Sequence, residues 1–233
     1  MVDLFIIDKQ YSELIKRYSG LRLEFIDEKY KISGILKFSA EYQHNRIEDE
    51  YSIELTISDD YPDSLPIVRE KGNRIPRDFH KYQDNSLCLG ASLAIKRKFL
   101  KQPTIIGFIE RCVIPHLYLY SYKCKYGSLP YGELSHGWLG ILEYYQDVFN
   151  VVDERIILLL LKVIVDDNYR AHSRCPCGSR KRLRDCHGSL LRKLMPVQPA
   201  QEFSRDYQLI IEGLKINHHF QSFKKNNQLH YRH

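Results

Sequence analysis

Between Leu21 and Ile57 apolar residues fall on every second position, and this alternation limits what the chain can become more than any other feature. Leu21, Leu23 and Phe25 alternate with Arg22 and Glu24, while Ile53, Leu55 and Ile57 alternate with Glu54 and Thr56. A period of two sends successive side chains to opposite faces of a strand. The stretches Leu21 to Ile26, Tyr30 to Ala40 and Ile47 to Ile57 therefore read as strands with one buried face. Their separators, Asp27-Glu28-Lys29 and the polar loop Gln43 to Arg46, are short enough to make an antiparallel meander. Ahead of it, Ile6, Ile7, Tyr11, Leu14, Ile15 and Tyr18 recur at three- and four-residue spacing before Gly20, which predicts a helix over residues 6–18. Behind it comes the turn Tyr61-Pro62-Asp63-Ser64-Leu65-Pro66, then Ile67 and Val68 as a short fourth strand. The class is α+β.

Composition narrows the setting. The chain has 233 residues, and 43% of them are hydrophobic, enough to bury a sizeable core. Asp3, Asp8, Lys9 and Glu13 interrupt the first residues, so they do not read as a signal peptide. The longest apolar run, Ile156 to Leu161, is far too short to cross a bilayer. A soluble, cytoplasmic protein is expected. Of the six cysteines, Cys175, Cys177 and Cys186 sit together while Cys88, Cys112 and Cys124 are scattered, a distribution of one metal cluster plus free thiols rather than three disulfides. The formal net charge of +6 is concentrated too: eight Lys/Arg lie between Arg170 and Lys193 against one acid, Asp185. A nucleic-acid surface is confined by charge to that region.

Among the scattered cysteines only Cys88 has a context. It stands in His80-Lys-Tyr-Gln-Asp84-Asn85-Ser-Leu-Cys88-Leu-Gly90, after an irregular segment with Gly72, Asn73 and Pro76. Without that context a cysteine between leucines is a buried small hydrophobe. The order of helix, meander, Tyr-Pro…Pro turn, histidine and Cys-Leu resembles the ubiquitin-conjugating enzymes. The resemblance implies that fold, a nucleophilic Cys88 in a shallow groove on the sheet's flank, an activating enzyme as donor and a ubiquitin-like modifier as cargo. The family's His-Pro-Asn motif, whose asparagine stabilises the oxyanion, has no counterpart: Lys81 and Tyr82 follow His80. His80 and Asn85 are the donors at hand, and Asp84 is placed to orient or deprotonate an incoming amine. Cys112 reads as a core thiol and Cys124 as a surface thiol.

Beyond Cys88, Ala91 to Leu100 is a short basic helix or turn, and Pro103-Thr104 caps a helix that ends near Pro115. Ser135 is a candidate N-cap for a helix through Leu139, Leu142, Tyr145 and Phe149, with Glu133 and His136 as further polar candidates for the groove. A helix restarts at Asn150 to Glu154, and its run Ile156 to Val165 is apolar nearly all round, as in a buried helix.

Cys175-Pro-Cys177-Gly178…Cys186-His187-Gly188 supplies three thiolates and one imidazole, a set suited to a closed, structural tetrahedral zinc site. The spacing resembles the SEC-C motif at the ends of bacterial secretion ATPases. The surrounding arginines and lysines offer a docking surface for protein or nucleic acid. Leu190 to Leu194 extends a short helix, Phe203 to Leu214 forms another, and Asn217 to His233 reads as a polar, mobile tail.

The expected organisation is a conjugating domain over 1–150, a connecting helix over 151–169, a zinc module over 170–195, and a helix with tail over 196–233. The first functional expectation is a transferase carrying a modifier, or another protein C-terminus, as a Cys88 thioester and passing it to a target amine. The competing expectations are an inactive module of the same fold that binds a modifier, and a zinc-motif adaptor. Bacterial enzymes of the resembling kind accompany modifier-conjugation operons and antiphage signalling systems, which is the setting the resemblance implies.

Overall fold

A computed structural model of the chain describes residues 4–130, 135 and 137–229, with side chains described to Ile216. Its contacts divide it into two compact units, Met1–Gly90 with Ala94–Leu134, and Ala91–Leu93 with Ser135–His233.

The first unit is built on the alternating stretch. Helix α1 (Leu4–Arg17) is followed by strands β1 (Leu21–Ile26), β2 (Lys29–Tyr42), β3 (Asn45–Thr56) and β4 (Ile67–Glu70), paired antiparallel in sequence order. The inward positions are those of the period-two pattern: Leu21, Ile32, Leu36, Tyr51, Ile53 and Leu55 are buried to within 1%. Both hairpins are tighter than their polar separators indicated. Ile26 pairs with Lys29 and Tyr42 with Asn45, leaving two-residue turns. Asp27, Glu28, Gln43 and His44 all take positive φ, between 47° and 64°. That is the turn geometry matching strand twist, adopted here without the usual Asn-Gly pair.

Helix α2 (Ser92–Phe99) precedes a long helical stretch made of α3 (Ile105–Phe108), a π-helical turn (Ile109–Val113) and α4 (Ile114–Tyr126). Thr104 caps it as expected, its hydroxyl accepting from the Gly107 amide at 3.1 Å. It does not end near Pro115. The wider turn just before the proline gives the ring room, and the proline's missing N–H falls at the start of α4, where it costs least. Cys112 is buried in this stretch, and burial pushes its thiol up to about 11; Cys124 is exposed.

Polar locks join these pieces. Gln10 Oε1 accepts from the Tyr61 hydroxyl at 2.7 Å and from the Ile105 amide at 2.8 Å. Arg74 grips both carboxylate oxygens of Asp49 at 2.9 Å, and Ser121 donates to the same group. Burial works against the Asp49 carboxylate, but these hydrogen bonds outweigh it and hold its pKa near about 2.

In the second unit, α5 (Gly137–Phe149), α6 (Glu154–Val165) and α8 (Ala200–Leu229) pack against one another, with α7 (Gly188–Leu194) beside the cysteine cluster. Asp153 caps α6, accepting from the Arg155 amide at 2.8 Å. Ile157, Leu160, Leu161 and Ile164 of α6 are buried, while Leu159 points outward. Leu142, Phe149, Cys175, Leu183, Leu191, Phe203 and Ile210 share one core. Residues 137–149, grouped by sequence with the first domain, thus belong with the second unit, and the connecting helix, cysteine module and last helix are parts of one core rather than separate segments. Nor does the polar end begin a tail at Asn217, because α8 continues to Leu229. No described helix is long and apolar enough to cross a membrane.

Candidate functional site

Residues 80–88 form a small hairpin. Lys81 pairs antiparallel with Leu87, and the Cys88 amide donates to the His80 carbonyl at 2.7 Å. Between them, Tyr82 N–H donates to Ser86 O at 2.9 Å and Asn85 N–H to Tyr82 O at 3.0 Å, closing the turn. The returning arm lies along the free edge of β4, with Leu87 N–H donating to Val68 O at 2.8 Å and Ser86 opposite Arg69. Leu87 and Phe79 bury their side chains and pin both arms, leaving Cys88 half-buried next to the edge. The sheet therefore fixes where this cysteine sits.

The candidate partners of Cys88 separate. His80 is directly opposite it. Asp84 and Asn85 lie at the turn, three to four residues along the arm, or about 10–13 Å at roughly 3.3 Å per residue. Asp84 is also committed locally: Oδ1 accepts from the Ser86 amide at 3.1 Å and from its hydroxyl, and Oδ2 from Arg69 at 2.8 Å. The Ser86 bonds, with Arg69, pull its pKa below the usual carboxylate value. Asn85 has φ of 62°, a conformation that asparagine tolerates at turns. His80 also has positive φ, 44°, and its ring meets Phe79 edge-on at 4.9 Å and His116 at 5.9 Å. Glu133 and His136, the other polar candidates, lie outside the described residues.

Two supports of this hairpin, and one of the turn at residues 61–66, escaped the sequence reading. Glu70 and Lys81 form a buried pair, 3.6 Å apart, with side chains 0% and 6% exposed. Glu70 also accepts from the Gly72 and Ile75 amides, and Lys81 donates to Ile75 O at 2.6 Å, so the pair organises the irregular segment. His116 is buried beneath His80. Burial first, then the neighbouring His80 and Lys81, drive its pKa down to about 3, so it is a neutral imidazole. Lys96, 7% exposed, donates to the carbonyls of Pro62 and Asp63, and burial lowers its pKa. One signal was there to find: with Val68 facing inward, alternation puts Glu70 inward as well, and a buried acid demands a partner. Lys96 and His116 carry no comparable mark in the sequence.

The cysteine cluster assembles as its spacing indicates. The ligand atoms of Cys175, Cys177, Cys186 and His187 lie within 4.8 Å of one another. Cys175 Sγ and Cys186 Sγ are each 3.3 Å from His187 Nδ1, and Cys177 and Cys186 are 3.4 Å apart. Four such atoms can surround a metal ion, and three thiolates with an imidazole are compatible with zinc. A second contact supports the fit. His187 Nε2 lies 3.1 Å from the Phe149 carbonyl, so the proton belongs on Nε2 and the lone pair on Nδ1, which faces the thiols. Gly178 takes φ of 78° at the turn after Cys177. Gly188 is needed for space instead, since a Cβ there would lie 2.6 Å from both Leu183 O and Tyr169 Oη. Burial opposes ionisation of Cys177, but hydrogen bonds from Ser179 and the neighbouring thiols overcome it and lower its pKa to about 6.

Compared with protein-family models, with curated proteins and with solved structures, the chain finds no match in any of the three.

Proposed function

We propose that the chain is an acyl transferase of the ubiquitin-conjugating kind, with Cys88 as the carrier. The Cys88 thiolate attacks the thioester that joins a modifier's C-terminus to an activating enzyme. The enzyme's thiolate leaves, and the acyl group rests on Cys88 until a target amine attacks it and Cys88 departs as thiolate. The observation that carries this reading is the placement of Cys88: half-buried, at the end of a hairpin braced on a sheet edge, while Cys112 is enclosed, Cys124 is exposed in the last turn of α4, and the other three sit in the four-residue Cys/His cluster. The four-ligand cluster leaves no open coordination position, so zinc there would hold residues 175–187 together and take no part in transfer.

The Cys88 amide, bonded to His80 O, is withdrawn from oxyanion stabilisation. Of the two donors considered for that work, His80 alone is at the right end of the hairpin, and the distance of Asn85, together with that of Asp84, the candidate for handling the amine, favours a second reading in which the fold binds a modifier without transferring it. Both readings meet in one experiment. The chain is incubated with an activating enzyme, its ubiquitin-like modifier and ATP, as wild type and as Cys88→Ala, and resolved with and without reductant. A reductant-sensitive adduct absent from Cys88→Ala supports transfer. No adduct from a demonstrably charged activating enzyme, or one that persists in the variant, contradicts it.

A further inference from the structure

We infer that the cysteine module binds the phosphate backbone of a nucleic acid, at a site centred on the cross-strand pair Arg174 and Arg182. These two arginines face each other across an antiparallel bridge, flanked by Cys175 N–H to Lys181 O at 2.9 Å and Leu183 N–H to Ser173 O at 2.8 Å. That hydrogen-bond pattern makes 174 and 182 a non-hydrogen-bonded pair, the kind whose Cα atoms stand about 4.5 Å apart with side chains on one face. Like charges so placed destabilise the pairing. Nothing described relieves them. Both are exposed, and among the described residues neither forms an ion pair. Arg180, at a left-handed turn, and Lys181 next to it add two more exposed cations without a described acid partner. The single acid of the segment, Asp185, is 3.5 Å from Arg184.

An anion between the two guanidinium groups turns this repulsion into attraction, and two planar forks suit the pair of free oxygens on a phosphodiester. The density of cations over so few residues matches a ligand that repeats its charge, as a nucleic-acid backbone does. Tyr169, the aromatic ring beside the module, is covered by Arg192 at 5.8 Å and is not offered as a stacking platform. Binding is thus to the backbone and independent of sequence. It does not depend on Cys88, and because Cys175 and Cys177 shape the bridge, it does depend on the metal site.

The test uses the full zinc-loaded chain and a labelled oligouridylate of about 20 nucleotides, followed by fluorescence anisotropy over a series of salt concentrations. With four to five phosphates engaged, log K falls with log salt at a slope of about −3. Arg174→Gln with Arg182→Gln lowers affinity at least about tenfold and reduces the slope by about 1.4, whereas Arg174→Lys with Arg182→Lys keeps the slope. Zinc content is measured in each protein. If the glutamine pair loses zinc, Arg180→Gln with Lys181→Gln is read against the same thresholds. The inference is overturned by absence of saturable binding at low salt, by identical curves for wild type and a zinc-replete glutamine variant, or by polyglutamate displacing the RNA at equal or lower concentration, which would assign the site to an acidic protein.

Discussion

The two units reach stability by different routes. In the first, neighbours in sequence are neighbours in space: four strands pair in order, and alternation fills the inward face in β2 and β3, whereas in β1 it fails at the outer end, where Phe25 is exposed. In the second, Phe149, Leu183 and Phe203 come together from distant parts of the chain, and a four-ligand cluster is embedded in the same core. A sheet of that kind stands on its own apolar burial, whereas short segments tied by thiolates and an imidazole depend on what those ligands hold. The difference also separates the two candidate sites, since the candidate nucleophile rests on the sheet edge and the four residues that could hold a metal do not.

The largest expected effect falls on the second unit. Cys177→Ser removes a ligand, and with structural zinc contributing on the order of 10 kcal/mol in small modules, metal content should drop to background and the second unit's melting transition should be lost or strongly lowered. The first unit's transition should stay. A shift of both together would break the comparison.

Next in size is Glu70→Ala, which strands the Lys81 ammonium in the first unit's interior and should cost about 3–5 kcal/mol, read as a lowered first transition with zinc content unchanged. Asp206 provides the pH-dependent case. It is 2% exposed and accepts from Tyr145 at 2.7 Å, and burial, with the nearby Glu202, raises its pKa from 3.8 to about 6 against the opposing pull of Tyr145, Gln198 and Arg205. The folded state then holds the proton more tightly than the unfolded. Stability from this group is complete below about pH 4 and is lost as pH rises through about 6, by at most about 3 kcal/mol at 1.36 kcal/mol per pKa unit. Asp206→Asn should erase that loss, gaining on the wild type as pH goes from 5 to 8 in denaturant titrations. The smallest effect belongs to Asp84→Ala: an exposed ion pair with Arg69 is worth below about 1 kcal/mol, and thioester formation on Cys88 should stay within about twofold, since the group sits away from the thiol.

Where the sequence was readable, a period or a ligand spacing made it so. Alternation marked the strands, and Cys-Pro-Cys with Cys-His marked the cluster. Turns without glycine hid their tightness, as at Asp27-Glu28 and Gln43-His44. Linear distance misled near Cys88, because a hairpin brings the residue eight positions back opposite the thiol and holds those three and four positions back at its turn. Pro115 resembled a stop because the π-helical turn that accommodates it leaves no compositional trace. Asn217 onward looked like a tail for want of apolar spacing, although its lysines, glutamines and leucine are compatible with helix.

Amide hydrogen exchange on the 233-residue chain, before and after removal of metal by a chelator, tests the division most directly. The expected result is rapid exchange across residues 171–194 with protection of 21–57 unchanged; loss of protection in the sheet to the same extent and at the same rate would contradict it.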